Sequence, residues 1–220
     1  MINFYQFLEG KAINATSDME KFAIETINIL KKDDWEYKKV AHERIVDGGK
    51  YGKKLIKVIP DEDKDKDKAT NSAWADNMDG LVGIFVKHGQ IYGDEQVEII
   101  IHELIHIFDP KLNNPELRTR KWGIYSANKS INPSDDPIKN QEYHMNPWEQ
   151  DAYMTQSARQ IIKIRNWLYE GDWAQIQDSI KNLTPNSPWE ITWKKDKKTW
   201  RKFLNTIYQE LLRQKQQNTN

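Results

Sequence analysis

One stretch constrains this chain more than any other: Val97-Glu98-Ile99-Ile100-Ile101-His102-Glu103-Leu104-Ile105-His106-Ile107-Phe108. Two histidines stand four positions apart in an otherwise apolar run. On an α-helix that spacing is about one turn, so both imidazoles share a face and can reach a single metal ion. Glu103 lies beside that face and can address a water at the metal. Val97, Ile100, Ile101, Leu104, Ile105 and Phe108 predict a buried helix, from about 95 to 108, with Asp94 as its N-cap and Asp109-Pro110 as its end. The competing reading is a pair of histidines packed as ordinary core residues. It is the weaker one, because it spends two of only 5 histidines as polar rings on a strongly apolar helix.

Composition narrows the metal chemistry. The chain has 220 residues and no cysteine, which excludes disulfides, Cys-ligated zinc, iron–sulfur clusters and a thiol nucleophile. A transition-metal site must therefore be built from His and carboxylates. A hydrolytic zinc site takes three protein ligands and keeps a fourth position open. The extended pattern HExxHxxGxxH does not continue here, because Asp109 stands at its glycine and Leu112 at its third histidine. A third ligand must come from farther down the chain. Asp109 shares the face of His102 and His106, which suits it to accept a ring N–H and fix a tautomer. Its alternative role is to terminate the helix.

The rest of the chain reads as a sheet followed by helices. Ser17 with Glu20 predicts a capping box for a helix over 18–32, with Met19, Phe22, Ala23, Ile27 and Leu30 on one face. Glu36–Val46 and Lys54–Ile59 read as strands joined by Asp47-Gly48-Gly49, with Pro60 ending the second. The charged run at 61–68 lacks the Gly and Glu that an EF-hand loop needs, so it reads as a solvated loop rather than a calcium site. Leu81–Val86 is the best strand. Residues 110–145 hold four prolines and no sustained period, which predicts a long irregular connection. Helices follow at about 147–169 (N-cap Asn146, closed by Gly171), 172–183 and 196–215. Two domains are expected, 1–170 and a helical extension over 171–220.

Lys and Arg number 33, as do Asp and Glu, so the net charge is +0, which argues against a general polyanion binder. From residue 189 onward the balance changes to eight basic against three acidic side chains, with Trp189, Trp193 and Trp200 among them. A nucleic-acid face would use such rings for stacking. Their recurrence at helical spacing with Phe203, Leu204, Ile207, Tyr208, Leu211 and Leu212 favours a core-facing helix, so nucleic acid is set aside as a partner. The start of the chain lacks the basic and apolar regions of a signal peptide, and no apolar run approaches the roughly 20 residues of a membrane span. A cytoplasmic setting without membrane attachment is expected. The chain does not speak to its oligomeric state.

His-Glu-Leu-Ile-His-Ile-Phe-Asp-Pro, followed by Asn146-Pro147-Trp148-Glu149-Gln150-Asp151-Ala152-Tyr153, resembles the zincin metallopeptidases, and within them the gluzincin-like group. The pair of motifs is also similar to small metallopeptidase-like proteins of phages and bacteria. The resemblance covers roughly residues 80–160. It implies an α+β, zincin-like fold: a small N-terminal mixed sheet with an active-site helix, then a mostly helical C-terminal part. It implies Glu149 as the third zinc ligand, presented by a downstream helix, with Ala152 allowing close helix approach. Glu149 also sits where a capping-box Glu belongs, and Asp151, Asp109 and His144 stay open as alternatives. Leu81–Val86 would be the edge strand that pairs with an extended substrate. Tyr143, His144 and Tyr125 are candidates to donate to the developing oxyanion. The activity implied is zinc-dependent hydrolysis of peptide or protein substrates with Glu103 as general base. The alternative is a catalytically silent zincin-fold module with a structural or partner-binding role, for instance in a phage-associated protein.

Overall fold

The computed structural model describes residues 13–32, 39–61, 73–76, 79–85, 93–110, 147–168 and 172–218. Residues 111–146 fall outside these, as do 33–38, 62–72 and Gly171. The beginning of the Glu36–Val46 run, most of the charged loop, the long connection, Asn146 and the Gly171 stop therefore lie outside the described residues. The architecture is α+β, a four-stranded mixed sheet followed by helices. Two compact units are present, one spanning Ala15–Pro133 and one made of Met1–Asn14 with Ser134–Asn220. Among the described residues, no helix is long and apolar enough to cross a membrane.

In the first unit, helix α1 (Ser17–Leu30) precedes strands β1 (His42–Asp47) and β2 (Lys53–Asp61). Strands β3 (Ala73–Asp76) and β4 (Leu81–Phe85) follow, then helix α2 (Asp94–Phe108). The sheet order is β1-β2-β4-β3. β1 and β3 run antiparallel to their neighbours, and β2 and β4 run parallel, with Lys57 opposite Leu81. Alternation sorts the side chains by face. Val46, Ile56, Val58, Val82 and Ile84 are buried, whereas the cross-strand partners Ile45 and Leu55 are 61% and 45% exposed. Helix α1 packs on β1 and α2, and α2 packs on β3 and β4. Met19, Phe22, Ala23, Ile27 and Leu30 of α1 are buried, as their spacing predicts. Each large apolar side chain so buried contributes roughly 1.5–3 kcal/mol. Gly80 (φ +64) lets β4 begin against β2: a Cβ there would stand 2.3 Å from the Leu55 carbonyl oxygen.

Several local expectations change. The N-cap of α1 is Thr16, not Ser17: its hydroxyl accepts from Met19 N–H at 3.1 Å and donates to the Asp47 carbonyl at 2.6 Å. Thr16 thus joins the helix start to the end of β1. Pro60 lies inside β2 rather than beyond it. The Val58 backbone faces β1, so two residues on the Pro60 nitrogen faces that side too, past the point where β1 begins. No ladder bond is lost there. β4 is an interior strand, hydrogen-bonded on both sides. It cannot be the edge that adds a substrate strand. In α2 the N-cap is Gly93, whose N–H is taken by the Gln96 side chain at 2.7 Å, and Asp94 is the first helical residue.

The second unit holds α3 (Pro147–Ile164), α4 (Trp173–Lys181), α5 (Pro188–Lys195) and α6 (Lys197–Asn218). α3 and α6 pack together over Met154, Ala158, Ile162, Phe203, Leu204 and Ile207. Trp193, Trp200 and Tyr208 are buried in the same core, with Trp193 and Trp200 ring centroids 5.0 and 5.5 Å from that of Phe203. α3 ends earlier than its pattern predicts. Asn166 takes φ +58, Trp167 N–H reaches the Ile162 carbonyl at 3.3 Å, and Asn166 N–H reaches Lys163. That is a left-handed helix stop, sealed by the buried Trp167. α5 has no counterpart in the sequence reading, although Ser187-Pro188-Trp189-Glu190 carries the start signal. Ser187 Oγ accepts from Glu190 N–H at 3.3 Å, and the Glu190 carboxylate accepts from Asn186 N–H at 2.7 Å.

Candidate metal centre

α2 is buried over its whole last half: every residue from Ile100 to Asp109 is buried. A helix apolar nearly all round has no solvent face to turn outward, so His102 and His106 are carried inside with it. They are 7% and 9% exposed, and Glu103 between them is 9% exposed. The two Nε2 atoms face each other at 3.1 Å, with ring centroids 4.8 Å apart and planes at 77°.

That geometry can be tested against a metal. Zinc–nitrogen bonds of about 2.0–2.1 Å at a tetrahedral angle place two ligand nitrogens roughly 3.3 Å apart. The observed separation is close to this, and both rings aim the same nitrogen inward. The donor set, neutral imidazole without thiolate, suits zinc and neighbouring divalent metals. The residues present therefore fit such an ion. An N–H···N hydrogen bond, one ring donating and the other accepting, has a similar length.

The other predicted residues that the structure describes lie on α2 and α3. Asp109 closes α2, buried, with its N–H donating to the His106 carbonyl at 3.2 Å. Glu149 is in the first turn of α3, in the second unit, and is half-buried. Asp151, also on α3, is buried, and its carboxylate accepts the Lys202 ammonium of α6 in an ion pair. That pairing commits Asp151 within its own unit. Tyr125, Tyr143 and His144 lie outside the described residues.

One residue near the site escaped sequence reading. Lys54 of β2 donates its Nζ to the Ile107 carbonyl of α2 at 2.6 Å. Fifty-three positions separate the two, and nothing local in the sequence marks the pairing. Burial pulls the Lys54 amine below the usual lysine range. No family model matches the chain, and neither a curated protein nor a solved structure matches it.

Proposed function

We propose that the protein is a zinc-dependent peptide hydrolase of zincin type, cytoplasmic, acting on peptide or protein substrates. The observation that carries this reading is the facing pair of buried Nε2 atoms at 3.1 Å, with a carboxylate next in sequence. In this reading His102, His106 and Glu149 hold the ion, two imidazole nitrogens and one carboxylate oxygen, each residue offering one ligand atom. When bound, zinc supplies Lewis-acid polarisation of a carbonyl and acidifies water. Glu103 takes the water proton and later passes it to the leaving amine. Tyr143 and His144 are the proposed donors to the oxyanion, from the 110–145 connection. Asp109 orients a ligand ring from the end of the helix.

The test is metal analysis with activity on the same samples. About one zinc per chain is expected in wild type purified without chelator. Glu103→Ala should keep the metal and lose peptidase activity, and Glu149→Ala should lose most of the metal. Metal-free wild type would sink the proposal.

A second reading has its own support. His102, Glu103 and His106 are each less than a tenth exposed, as suits a closed structural site that no substrate enters. The protein is then a catalytically silent structural or partner-binding module, for instance a phage-associated one. Biological function unchanged in Glu103→Ala but lost in His102→Ala would select it.

A further inference from the structure

We infer that Lys54 is a positioning residue for the metal centre: its ammonium locks the last turn of α2 and, with it, His106. The inference rests on the metal reading proposed above. The last carbonyls of any helix lack intrahelical partners. In α2, Asp109 N–H closes back onto the His106 carbonyl at 3.2 Å. The next carbonyl, that of Ile107, would turn to the N–H of residue 110, and Pro110 has none. Asp109 is already extended, at φ −68 and ψ 114, so the chain is leaving the helix axis there.

Lys54 supplies a donor to this carbonyl from the neighbouring sheet. Its Nζ is 2.6 Å from the Ile107 oxygen and 5.8 Å from the centroid of the Phe108 ring. A cation at this end also complements the negative pole of the helix dipole. Phe108 is held a second time, by the turn that joins β1 to β2. A Cβ added at Gly48 would stand 2.2 Å from Phe108 Cδ1, so only a glycine lets the turn lie on the ring. The β1–β2 hairpin therefore grips the last two residues of α2 by a charge and by a contact.

His106 sits immediately before Ile107, inside the gripped turn. A ligand must be held within about 0.5 Å of its productive place to bind metal well. Fraying of the last turn would release His106 while leaving His102, one turn back, in position. Lys54 thus acts on the metal through the backbone of α2 and touches neither substrate nor ion.

Cobalt(II) titration of the full chain, followed by its visible absorption, tests this. Circular dichroism first establishes that each variant is folded. Lys54→Met should bind cobalt about tenfold more weakly, the usual scale for losing an outer support, with a weakened visible band. Lys54→Gln, a neutral donor on a shorter stem, should also bind more weakly and stands in should Lys54→Met fail to fold. Lys54→Arg keeps a charged donor and should return affinity to within about twofold of wild type. Thr16→Ala, which weakens the same unit at a distant cap, should leave cobalt affinity unchanged. Lys54 variants that match wild type in affinity and spectrum would overturn the inference, as would failure of Lys54→Arg to rescue. If wild type itself takes up neither cobalt nor zinc, the metal reading fails and this inference falls with it, which is a different pattern from the two preceding ones.

Discussion

The two units each bury a polar cluster, and the clusters are built on opposite rules. In the helical unit, Glu210 of α6 is fully buried, and its carboxylate accepts from Arg159 at 2.8 Å, from Arg213 at 2.5 and 3.1 Å, and from Gln214 at 2.9 Å. Opposite charges and a side-chain amide answer one another. In the sheet unit, like faces like: two imidazoles point the same nitrogen at each other, with acidic Glu103 and Asp109 buried nearby on the same helix. Complementary groups need nothing further to be stable. Like groups brought together are favourable when a proton or a cation is shared between them. The first cluster is a structural device, and the second is the one we propose as a ligand site.

Substitution should separate the two rules. Glu210→Ala leaves the arginines without their buried counter-charge. It should cost about 3–5 kcal/mol in denaturant unfolding while leaving zinc uptake by the folded protein intact. A loss below 1 kcal/mol would mean that water reaches the cluster. The histidine pair should behave in the converse way. Free zinc at about 100 times its Kd should raise the unfolding free energy by about 2.7 kcal/mol, and His106→Ala should abolish that increment. In metal-free protein the same variant removes at most one ring–ring hydrogen bond, worth about 1 kcal/mol, together with its packing. A zinc increment that survives His106→Ala would place the ion elsewhere.

These clusters were not equally legible in the sequence. The α2 pair could be read because spacing on one helix fixes which side chains share a face. The Glu210 cluster joins residues from α3 and α6, 51 positions apart, and no local pattern links Arg159 to Glu210. The same divide runs through the fold. Apolar periodicity correctly marks α1, α2 and the long C-terminal helix. The interior place of β4 depends on which strands pair, and that is decided by partners outside the segment. Lys54 is invisible for this reason too: its bond to the Ile107 carbonyl joins a strand to a helix 53 positions away. At α5 the start signal of Ser187 and Glu190 overlaps the turn-forming Pro185 and Pro188, so helix and turn chemistry coincide in the same few residues. At α1, Ser17 and Thr16 are both good caps on paper, and the Asp47 carbonyl selects Thr16. Thr16→Ala should accordingly cost about 1 kcal/mol, and Ser17→Ala only a few tenths. Equal effects would mean that the cap is shared.

The smallest expected effect comes from a third histidine, and it shows what a structural histidine looks like in the same unit. His42 stacks on Phe22 with ring centroids 4.5 Å apart, and its Nδ1 is 2.8 Å from the Thr26 hydroxyl. That hydroxyl donates to the Phe22 carbonyl at 2.8 Å, so it must accept from His42, which fixes the proton of the neutral ring on Nδ1. The other nitrogen is 3.9 Å from the Glu25 carboxylate, and Arg44 lies nearby on the same strand. Burial lowers the His42 pKa below its usual 6.5; Glu25 works against this and Arg44 with it. A histidine depressed in the fold is favoured neutral. Its contribution to stability is therefore complete above the unfolded pKa and is lost as pH falls from about 6.5 through the folded value. Unfolding measured between pH 7.5 and 5 should show this loss in wild type, as a fraction of the Glu210 effect. His42→Asn should remove that part of the slope while leaving zinc binding unchanged. If His42→Asn instead weakened zinc binding, the division between a packed histidine and the pair proposed to ligate would fail at its simplest point.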